Sequence, residues 1–257
     1  MLKHSLLIFC IDYLSQKEKP FLCIDTHAGA GFYPLHSGYA LQNREWENGI
    51  ARLKELNSRD FPSMINRYVN IALSDNCDFY NGSSGIMKKL VRPQDRLCSF
   101  ELHPVDFNDL QSLLKETPNA KALNEDGLNG LVALLPPISR RACIFIDPSY
   151  EIKSDYEVLP VALSKALKRF PQGLYIIWHP LLRNEKKSLH FTETLESLYL
   201  GNRCSISFCT NTSKNMYGSG IVIYNPPWTL KNTLEESLEF LAALFDGKWT
   251  VSWDGRN

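Results

Sequence analysis

Short apolar segments that alternate with helical patterns are the feature that most constrains the fold of this chain. Seven segments of five to seven residues are rich in β-branched, aromatic or other apolar side chains and are typical of strands. They lie at 21–26, 97–102, 120–124, 142–147, 173–178, 204–210 and 219–225. Several are continuously apolar, as parallel strands covered on both faces should be. The pattern predicts an α/β protein with a mainly parallel sheet of about seven strands.

Helical patterns connect these strands, and one region breaks the alternation. Helices are predicted at 2–16, 41–57, 61–74, 84–91, 105–116, 127–134, 155–169, 184–199 and 230–245. The polar, helical region 33–82 lies between the first and second strands. We therefore expect a sheet domain formed by 1–32 and 83–257, with a helical insertion subdomain at 33–82 packed on it.

The first helix raises the question of a signal peptide. Its apolar run 5–11 is short, Asp12 interrupts it, and no small-residue cleavage site follows. An amphipathic helix is the better prediction. No run approaches the ~18 apolar residues that a membrane helix needs, so no membrane partner is expected.

Cysteine and charge content limit the compartment and the partners. The seven cysteines are odd in number and form no C-x-x-C pair, which favours reduced, buried thiols, a cytoplasmic protein and no metal. The chain has 28 Lys+Arg and 28 Asp+Glu, a formal net charge of zero. This balance excludes a polybasic nucleic-acid coat, but it leaves room for a local basic face.

The first strand leads into the glycine-containing segment 25–31, with the sequence DTHAGAG. Gly29 and Gly31 tolerate backbone angles that other residues resist and let a ligand approach the main chain. This is where α/β folds bind nucleotide-like cofactors, although a plain turn would explain two glycines as well. Pro34 stands where a dinucleotide fingerprint has its third glycine, which argues against NAD and fits S-adenosylmethionine.

Acidic residues end the next two strands. Glu101 is placed to accept hydrogen bonds from ribose hydroxyls, although a solvent-exposed carboxylate is the alternative. Asp126 precedes Gly127 and is placed to reach an adenine amino group, with a simple Asp-Gly turn as an equal contender. Together with the glycine-containing segment they outline one cofactor site at the carboxyl ends of the strands.

The fourth strand ends in Asp147-Pro148-Ser149-Tyr150, which resembles the [D/N]-P-P-[Y/F/W] signature of amino-group methyltransferases. An adenine amine is a poor nucleophile because its lone pair is delocalised into the ring. The Asp147 carboxylate and the Pro148 carbonyl can each accept one N–H hydrogen bond, and Asp147 can take the released proton. Tyr150 is expected to stack on the target base. Ser149 replaces the second proline of the signature.

A second segment, Asn225-Pro226-Pro227-Trp228, matches the same signature more literally. It follows the last predicted strand rather than the fourth, so it falls outside the expected order. We interpret it as a strand-end turn in which Trp228 covers the core, and we assign the chemistry to Asp147.

Basic residues are unevenly distributed. They cluster at 88–96, 140–141 and 165–187, whereas the last helix carries Glu235, Glu236 and Glu239. We predict that these clusters form a basic rim near the active crevice that contacts RNA phosphates. A solvated helix face is the alternative for each cluster.

These motifs, in this order and spacing, resemble the RlmJ family of 23S ribosomal RNA adenine-N6 methyltransferases. The resemblance rests on Leu2-Lys3-His4, DTHAGAG at 25–31, Asn81-Gly82-Ser83, ELHP at 101–104, Asp126-Gly127, the stretch 136–141 before IDPSY, and NPPW.

The resemblance implies a Rossmann-like class I methyltransferase fold with S-adenosylmethionine as cofactor. It implies 23S ribosomal RNA as the partner before assembly is complete, and a monomeric enzyme. Asp147, Pro148 and Tyr150 would be catalytic, and Lys3 and Tyr150 would contact substrate. The cofactor would contact His4, His27, Gly29, Gly31, Ser83, Glu101, Asp126, Gly127 and Asp147.

Two other classes of protein remain open from the sequence. Amino-methyltransferases that act on DNA or on protein glutamine share the signature, but no separate target-recognition domain is visible. A non-catalytic nucleic-acid-binding or DNA-utilisation protein that retains the fold is the other.

Overall fold

The computed structural model describes residues 1–35, 49–54, 56, 58–73, 79–183, 186–212 and 215–255. The strands are β1 (Leu22–Asp25), β2 (Phe32–Pro34), β3 (Phe79–Asn81), β4 (Arg96–Phe100), β5 (Ala120–Leu123), β6 (Ala142–Ile146), β7 (Leu174–Leu182), β8 (Arg203–Thr210), β9 (Met216–Tyr224) and β10 (Gly247–Asp254). The helices are α1 (Leu2–Ser15), α2 (Ala51–Lys54), α3 (Ser63–Ala72), α4 (Ser83–Leu90), α5 (Pro104–Leu114), α6 (Gly127–Leu134), α7 (Asp155–Arg169), α8 (Lys186–Leu198) and α9 (Leu230–Phe245), with a 3-10 turn at Ser58–Asp60.

Eight of these strands form one sheet, in the order β10-β8-β9-β7-β6-β1-β4-β5. The five strands from β7 to β5 are parallel, and β9 is antiparallel to both β7 and β8. The seven predicted strands are all present, and the predicted α/β class is confirmed.

Strand β10 adds an eighth strand to the seven predicted segments, antiparallel to β8. It alternates half-buried Trp249, Val251 and Trp253 with exposed polar residues. Such a period-2 pattern is typical of a strand with one covered face, so the signal was present in the sequence.

Two apolar layers cover the sheet. Helices α1, α3, α4, α5 and α9 contribute to the core on one face. Helices α6, α7 and α8 contribute to the core on the other. The six described cysteines are free, and four of them are buried. Within the described residues, no helix is long and apolar enough to cross a membrane.

Helix α1 differs from its prediction. Its bounds agree, but it is not amphipathic: nine of its fourteen residues are buried. The helix is covered on most sides because it lies between the sheet and α3 and α4. Arg67 of α3 donates hydrogen bonds of 2.9 and 3.1 Å to the Asp12 carboxylate, which joins α3 to the exposed side of α1.

The insertion predicted at 33–82 is described only in part. The helix expected at 41–57 lies mostly outside the described residues, whereas α3 falls inside the helix predicted at 61–74. Strands β2 and β3 pair as an antiparallel ribbon that closes the segment at its two ends. Treating 33–82 as a subdomain stays a prediction.

Parallel pairing gives the sheet two functionally different edges. The carboxyl edge carries the turns that follow β1, β4, β5 and β6, and the amino edge carries the turns that precede β1, β4, β6 and β7. In open α/β sheets, ligands bind outside the carboxyl ends of the strands.

Candidate active site

The turn after β1 has the backbone that its glycines predict. Gly29 and Gly31 have φ of 57° and 72°, in the left-handed region that favours glycine. A Cβ on Gly29 would lie 2.3 Å from Tyr33 Oη. The turn is therefore tight, and it leaves main-chain groups facing the carboxyl edge.

Glu101, at the end of β4, holds this turn in place. Its Oε2 accepts a hydrogen bond of 2.8 Å from Gly29 N, and its Oε1 accepts one of 2.8 Å from His103 N. A carboxylate oxygen can accept more than one hydrogen bond, so each keeps capacity for a ligand hydroxyl. Glu101 thus lies against the predicted cofactor segment.

Asp126 and Gly127 complete this side of the site. Asp126 caps α6, with Oδ1 accepting a hydrogen bond of 2.8 Å from Asn129 N. A Cβ on Gly127 would lie 1.9 Å from the Thr26 carbonyl oxygen, so only glycine fits there. The start of α6 therefore packs directly against the turn after β1.

A buried carboxylate lies beneath the same turn. Asp25 is 0% exposed, and its Oδ2 accepts a hydrogen bond of 2.7 Å from Ser84 Oγ. Its Oδ1 is buried without a hydrogen-bond partner among the described residues. Burial raises the pKa of Asp25 to about 6, against the opposing effect of the Ser83 and Ser84 hydroxyls. Ser83, a predicted cofactor residue, begins α4 and is buried.

Asp147 follows β6 and meets the start of α1. Its Oδ2 lies 2.6 Å from Lys3 Nζ, and its Oδ1 is buried without a partner among the described residues. The Lys3 ammonium also lies 4.4 Å from the centroid of the Trp178 ring, a cation–π contact. One carboxylate oxygen is thus fixed by Lys3, and the other remains open for a hydrogen-bond donor.

Tyr150 is positioned by the protein interior. It has φ of 56°, is 7% exposed, and donates a hydrogen bond of 2.7 Å to the Trp178 carbonyl. Its ring packs against Tyr156 and Phe191 at centroid distances of 5.0 and 5.8 Å. This turn orients Asp147 and the buried Pro148, whereas base stacking by Tyr150 stays a prediction that requires a more exposed ring face.

Two predicted cofactor residues are histidines: His4 follows Lys3 in α1, and His27 lies in the turn after β1. His4 Nδ1 and Tyr80 Oη are 2.5 Å apart, and burial followed by the charge of Lys3 lowers the pKa of His4 well below its usual value. His27 Nδ1 lies 2.8 Å from Thr26 Oγ1, and burial lowers its pKa against the opposing charge of Asp147. Both are therefore neutral at pH 7. The Tyr80 contact crosses 76 residues of sequence, and sequence reasoning missed it.

Asn225 lies at the opposite edge. Tyr224 pairs with Tyr175 near the start of β7, whereas Ile146 pairs with Ile177 further along it. The Asn225 amide donates hydrogen bonds of 2.8 and 2.7 Å to the Pro171 and Gly173 carbonyls. The preference for Asp147 over Asn225 is therefore supported by position. One part of the interpretation was wrong: Trp228 is 82% exposed and does not cover the core.

Most of the predicted basic rim was also misplaced, although Arg183 of the 165–187 cluster follows β7 at the carboxyl edge. The turns and strand starts at 16–21, 91–96, 135–141 and 168–173 lie at the amino edge, and they hold Lys17, Lys19, Arg92, Arg96, Arg140, Arg141, Lys168 and Arg169 against only Glu18 and Asp95. The carboxyl edge is acidic around β1, β4, β5 and β6. The end of β1 and the turns after these strands hold Asp25, Glu101, Glu125, Asp126, Asp147 and Glu151 against Lys153 and the Lys3 side chain that meets Asp147.

The acidic carboxyl edge fits S-adenosylmethionine. That cofactor carries a sulfonium and an ammonium but no phosphate, so carboxylates with open oxygens, such as Asp147 Oδ1, are complementary to it. The same charges would repel a pyrophosphate. Within the described residues, no cluster of three or more His, Cys, Asp or Glu side chains could hold a metal ion.

The sheet order, the turn after β1 and the Asp147 turn together define a class I, Rossmann-like methyltransferase. A protein-family model described as "Ribosomal RNA large subunit methyltransferase D, RlmJ" matches residues 18–254. The chain belongs to the RlmJ family of ribosomal RNA large subunit methyltransferases. The predicted enzyme class and cofactor, an S-adenosylmethionine-dependent ribosomal RNA methyltransferase, are confirmed by this membership.

Similar proteins cover the chain almost completely. Ribosomal RNA large subunit methyltransferase J of Escherichia coli (strain K12) is 35% identical over 98% of this chain and 93% of its own length. Its counterpart in Haemophilus influenzae is 34% identical over the same shares. The crystal structure of protein LPL1258 from Legionella pneumophila superposes with a TM-score of 0.90 at 30% identity, covering 99% of this chain and 96% of that one.

Proposed function

We propose that this protein methylates the exocyclic N6 amine of an adenine in 23S ribosomal RNA, as a monomer in the cytoplasm, before the subunit is fully assembled. The observation that carries the proposal is the open Oδ1 of Asp147, next to the Pro148 main chain at the carboxyl edge. Family membership supports ribosomal RNA as the substrate.

Asp147 and Pro148 would orient the amine. Asp147 Oδ1 and the Pro148 carbonyl would each accept one N–H hydrogen bond, which turns the nitrogen lone pair toward the methyl donor. Asp147 would then hold the proton that leaves the amine. Lys3 fixes Oδ2 at 2.6 Å, so Oδ1 faces the amine in one orientation.

The acidic residues and glycines around the turn after β1 would hold the cofactor, which supplies the methyl group when bound. Glu101 would accept from the ribose hydroxyls, and Asp126 with Gly127 would contact the adenine. His4, His27 and Ser83 would line the rest, together with Gly29 and Gly31. The neutral state of both histidines lets each donate and accept one hydrogen bond near a cationic ligand.

The test is transfer of labelled methyl groups onto deproteinised 23S ribosomal RNA, followed by nucleoside analysis. We expect N6-methyladenosine with the wild-type protein and its near-complete loss with Asp147→Ala. Asn225→Ala serves as the matched control, because that residue occupies the same place in the second signature at the other edge. Label in another nucleoside, or a kcat that depends on Asn225 instead of Asp147, would refute the proposal. Transfer to DNA or protein but not RNA would show a different amine substrate.

A further inference from the structure

The amino edge of the sheet is basic at its surface. Six exposed side chains, which we call the basic edge, surround the starts of four parallel strands: Lys17, Lys19, Arg96, Arg140, Lys168 and Arg169. Among the described residues, none of the six forms an ion pair with a carboxylate. Arg92, by contrast, is neutralised by Asp95 at 2.8 Å. The net positive field of this edge is therefore open to solvent.

An exposed tryptophan projects from the same edge. Trp228 follows Asn225, whose amide is bound to the carbonyls of the turn that leads out of Lys168 and Arg169. Tyr199 Oη donates a further hydrogen bond of 2.7 Å to Asn225 Oδ1, and Pro227 is buried. The turn is thus fixed from both sides, and it holds an indole that is 82% exposed. Because most of its surface is exposed, Trp228 contributes little to the core.

Cations beside a rigid exposed aromatic ring are the components of a single-stranded RNA surface. Lysine and arginine neutralise phosphates, and an indole offers a face on which an unpaired base stacks. The turns after β1, β4, β5 and β6 hold six carboxylates against Lys153 and the Lys3 ammonium, so this part of the carboxyl edge is unfavourable to phosphates. A polyanionic substrate therefore gains affinity from a positive surface elsewhere on the molecule.

We infer that the basic edge and Trp228 form a second RNA-contact surface, separate from the methyl-transfer site, that binds an unpaired strand of the substrate RNA. This inference rests on the proposed RNA substrate. The surface would supply affinity, whereas the carboxyl edge would supply chemistry. The second signature, NPPW, then positions Trp228 and is not a catalytic motif.

The test uses the full chain and a fluorescein-labelled oligoadenylate as the unpaired-RNA probe, titrated by anisotropy at several salt concentrations. Each of Lys17→Gln, Arg96→Gln and Lys168→Gln should reduce the slope of log affinity against log salt by about 0.7. Trp228→Ala should weaken binding on the order of tenfold at every salt concentration and leave the slope unchanged. A variant that carries all three substitutions should reduce the slope by the sum of the three single reductions.

Lys248→Gln is the matched control. It removes one exposed positive charge at the carboxyl edge, where the start of β10 pairs with the end of β8. The inference is overturned if the control reduces the slope as much as the three variants do, or if the three variants keep the wild-type slope. Tight binding of polyglutamate that ignores Trp228→Ala would point to an acidic protein partner and also overturn it.

Methylation of 23S ribosomal RNA by the same variants separates this inference from the proposed function. We expect KM to rise with kcat and S-adenosylmethionine affinity unchanged. If the wild type methylates no RNA but the variants still lose oligoadenylate binding, the proposed function fails and the RNA surface stands. If methylation is normal and binding is unaffected in all variants, only the surface fails.

Discussion

Two buried aspartates at opposite edges of the sheet, Asp25 at the end of β1 and Asp95 directly before β4, have opposite properties. Asp25, at the carboxyl edge, is 0% exposed, has one oxygen without a partner, and has a pKa raised to about 6. Asp95, at the amino edge, is 1% exposed, and its oxygens accept from Phe21 N and from three nitrogens of Arg92. Burial alone would raise the pKa of Asp95, but the Arg92 and Phe21 hydrogen bonds lower it.

The difference separates sites built for a ligand from sites built for stability. Buried polar groups are normally satisfied, so an unsatisfied carboxylate costs free energy that a structural role does not justify. At the carboxyl edge, Asp147 Oδ1 is, like Asp25 Oδ1, buried without a hydrogen-bond partner among the described residues. At the amino edge, the Asn225 side chain, like that of Asp95, has its hydrogen-bonding groups engaged.

The largest expected effect is on catalysis. Asp147→Asn keeps the shape of the side chain but loses its charge and the proton acceptor. We expect the rate of methyl transfer to fall by roughly 10²- to 10⁴-fold. The free energy of unfolding should fall only slightly, because Lys3 loses a charged partner but is 27% exposed and keeps its contact with the Trp178 ring. Single-turnover kinetics on 23S ribosomal RNA measure the first quantity, and urea unfolding the second. A variant with wild-type rate would remove Asp147 from the chemistry.

Asp95→Asn should have the largest effect on stability. The Arg92 guanidinium would lose its carboxylate partner, whereas its side chain would stay mostly buried, at 23% exposure. We expect the free energy of unfolding to fall by about 3 kcal/mol. Methyl transfer per folded molecule should not change. A loss of activity larger than the loss of folded protein would contradict the assignment of this edge to stability.

Asp25→Asn should raise the free energy of unfolding, in contrast to Asp95→Asn, and it should do so only above acidic pH. A folded pKa of about 6 against an unfolded value of 3.8 means that Asp25 contributes stability fully below pH 3.8, and that this is lost as pH rises through 6. At pH 8 the variant should be more stable by up to about 3 kcal/mol.

The measurement for Asp25 is urea unfolding at pH 4 and at pH 8. The free energy of unfolding of the wild type should fall between pH 4 and pH 8 because of Asp25, and that of the variant should not show this fall. Equal pH dependence in both proteins would mean that Asp25 is ionised in the folded state without cost, and the contrast with Asp95 would disappear.

The smallest expected effect concerns Asn225. Asn225→Ala leaves the Pro171 and Gly173 carbonyls without a donor, which should cost about 1–2 kcal/mol of unfolding free energy. The rate constant kcat should remain unchanged. Thermal unfolding and methyl-transfer assays on the same preparation check both, and a fall in kcat would reopen the second signature as a catalytic candidate.

Local signals predicted most of the fold. The seven strands and α1 follow from runs of apolar residues, α9 follows from apolar periodicity, and the turn after β1 follows from Gly29 and Gly31. Long-range pairing was beyond reach: β2 and β3 are three residues each and meet across an insertion, and His4 meets Tyr80 across 76 residues. Neither contact leaves a periodic trace in the sequence.

The charge distribution was predictable but was assigned to the wrong edge. Arg96 begins β4, and Arg140 and Arg141 directly precede β6. In a parallel sheet, residues that precede strands gather at the edge opposite the ligand, so strand order alone places these clusters away from Asp147. The exposure of Trp228 had no comparable signal, because tryptophan is usually well buried.

Helix α1 joins the two edges, since Lys3 meets Asp147 at one end and the guanidinium of Arg92 binds the Ser15 carbonyl at the other. Its 14 residues measure about 21 Å. A stacked strand advances ~3.4 Å per nucleotide, so this rod equals about six nucleotides. An RNA held at both edges would therefore need at least about six nucleotides between its anchored base and its methylated base.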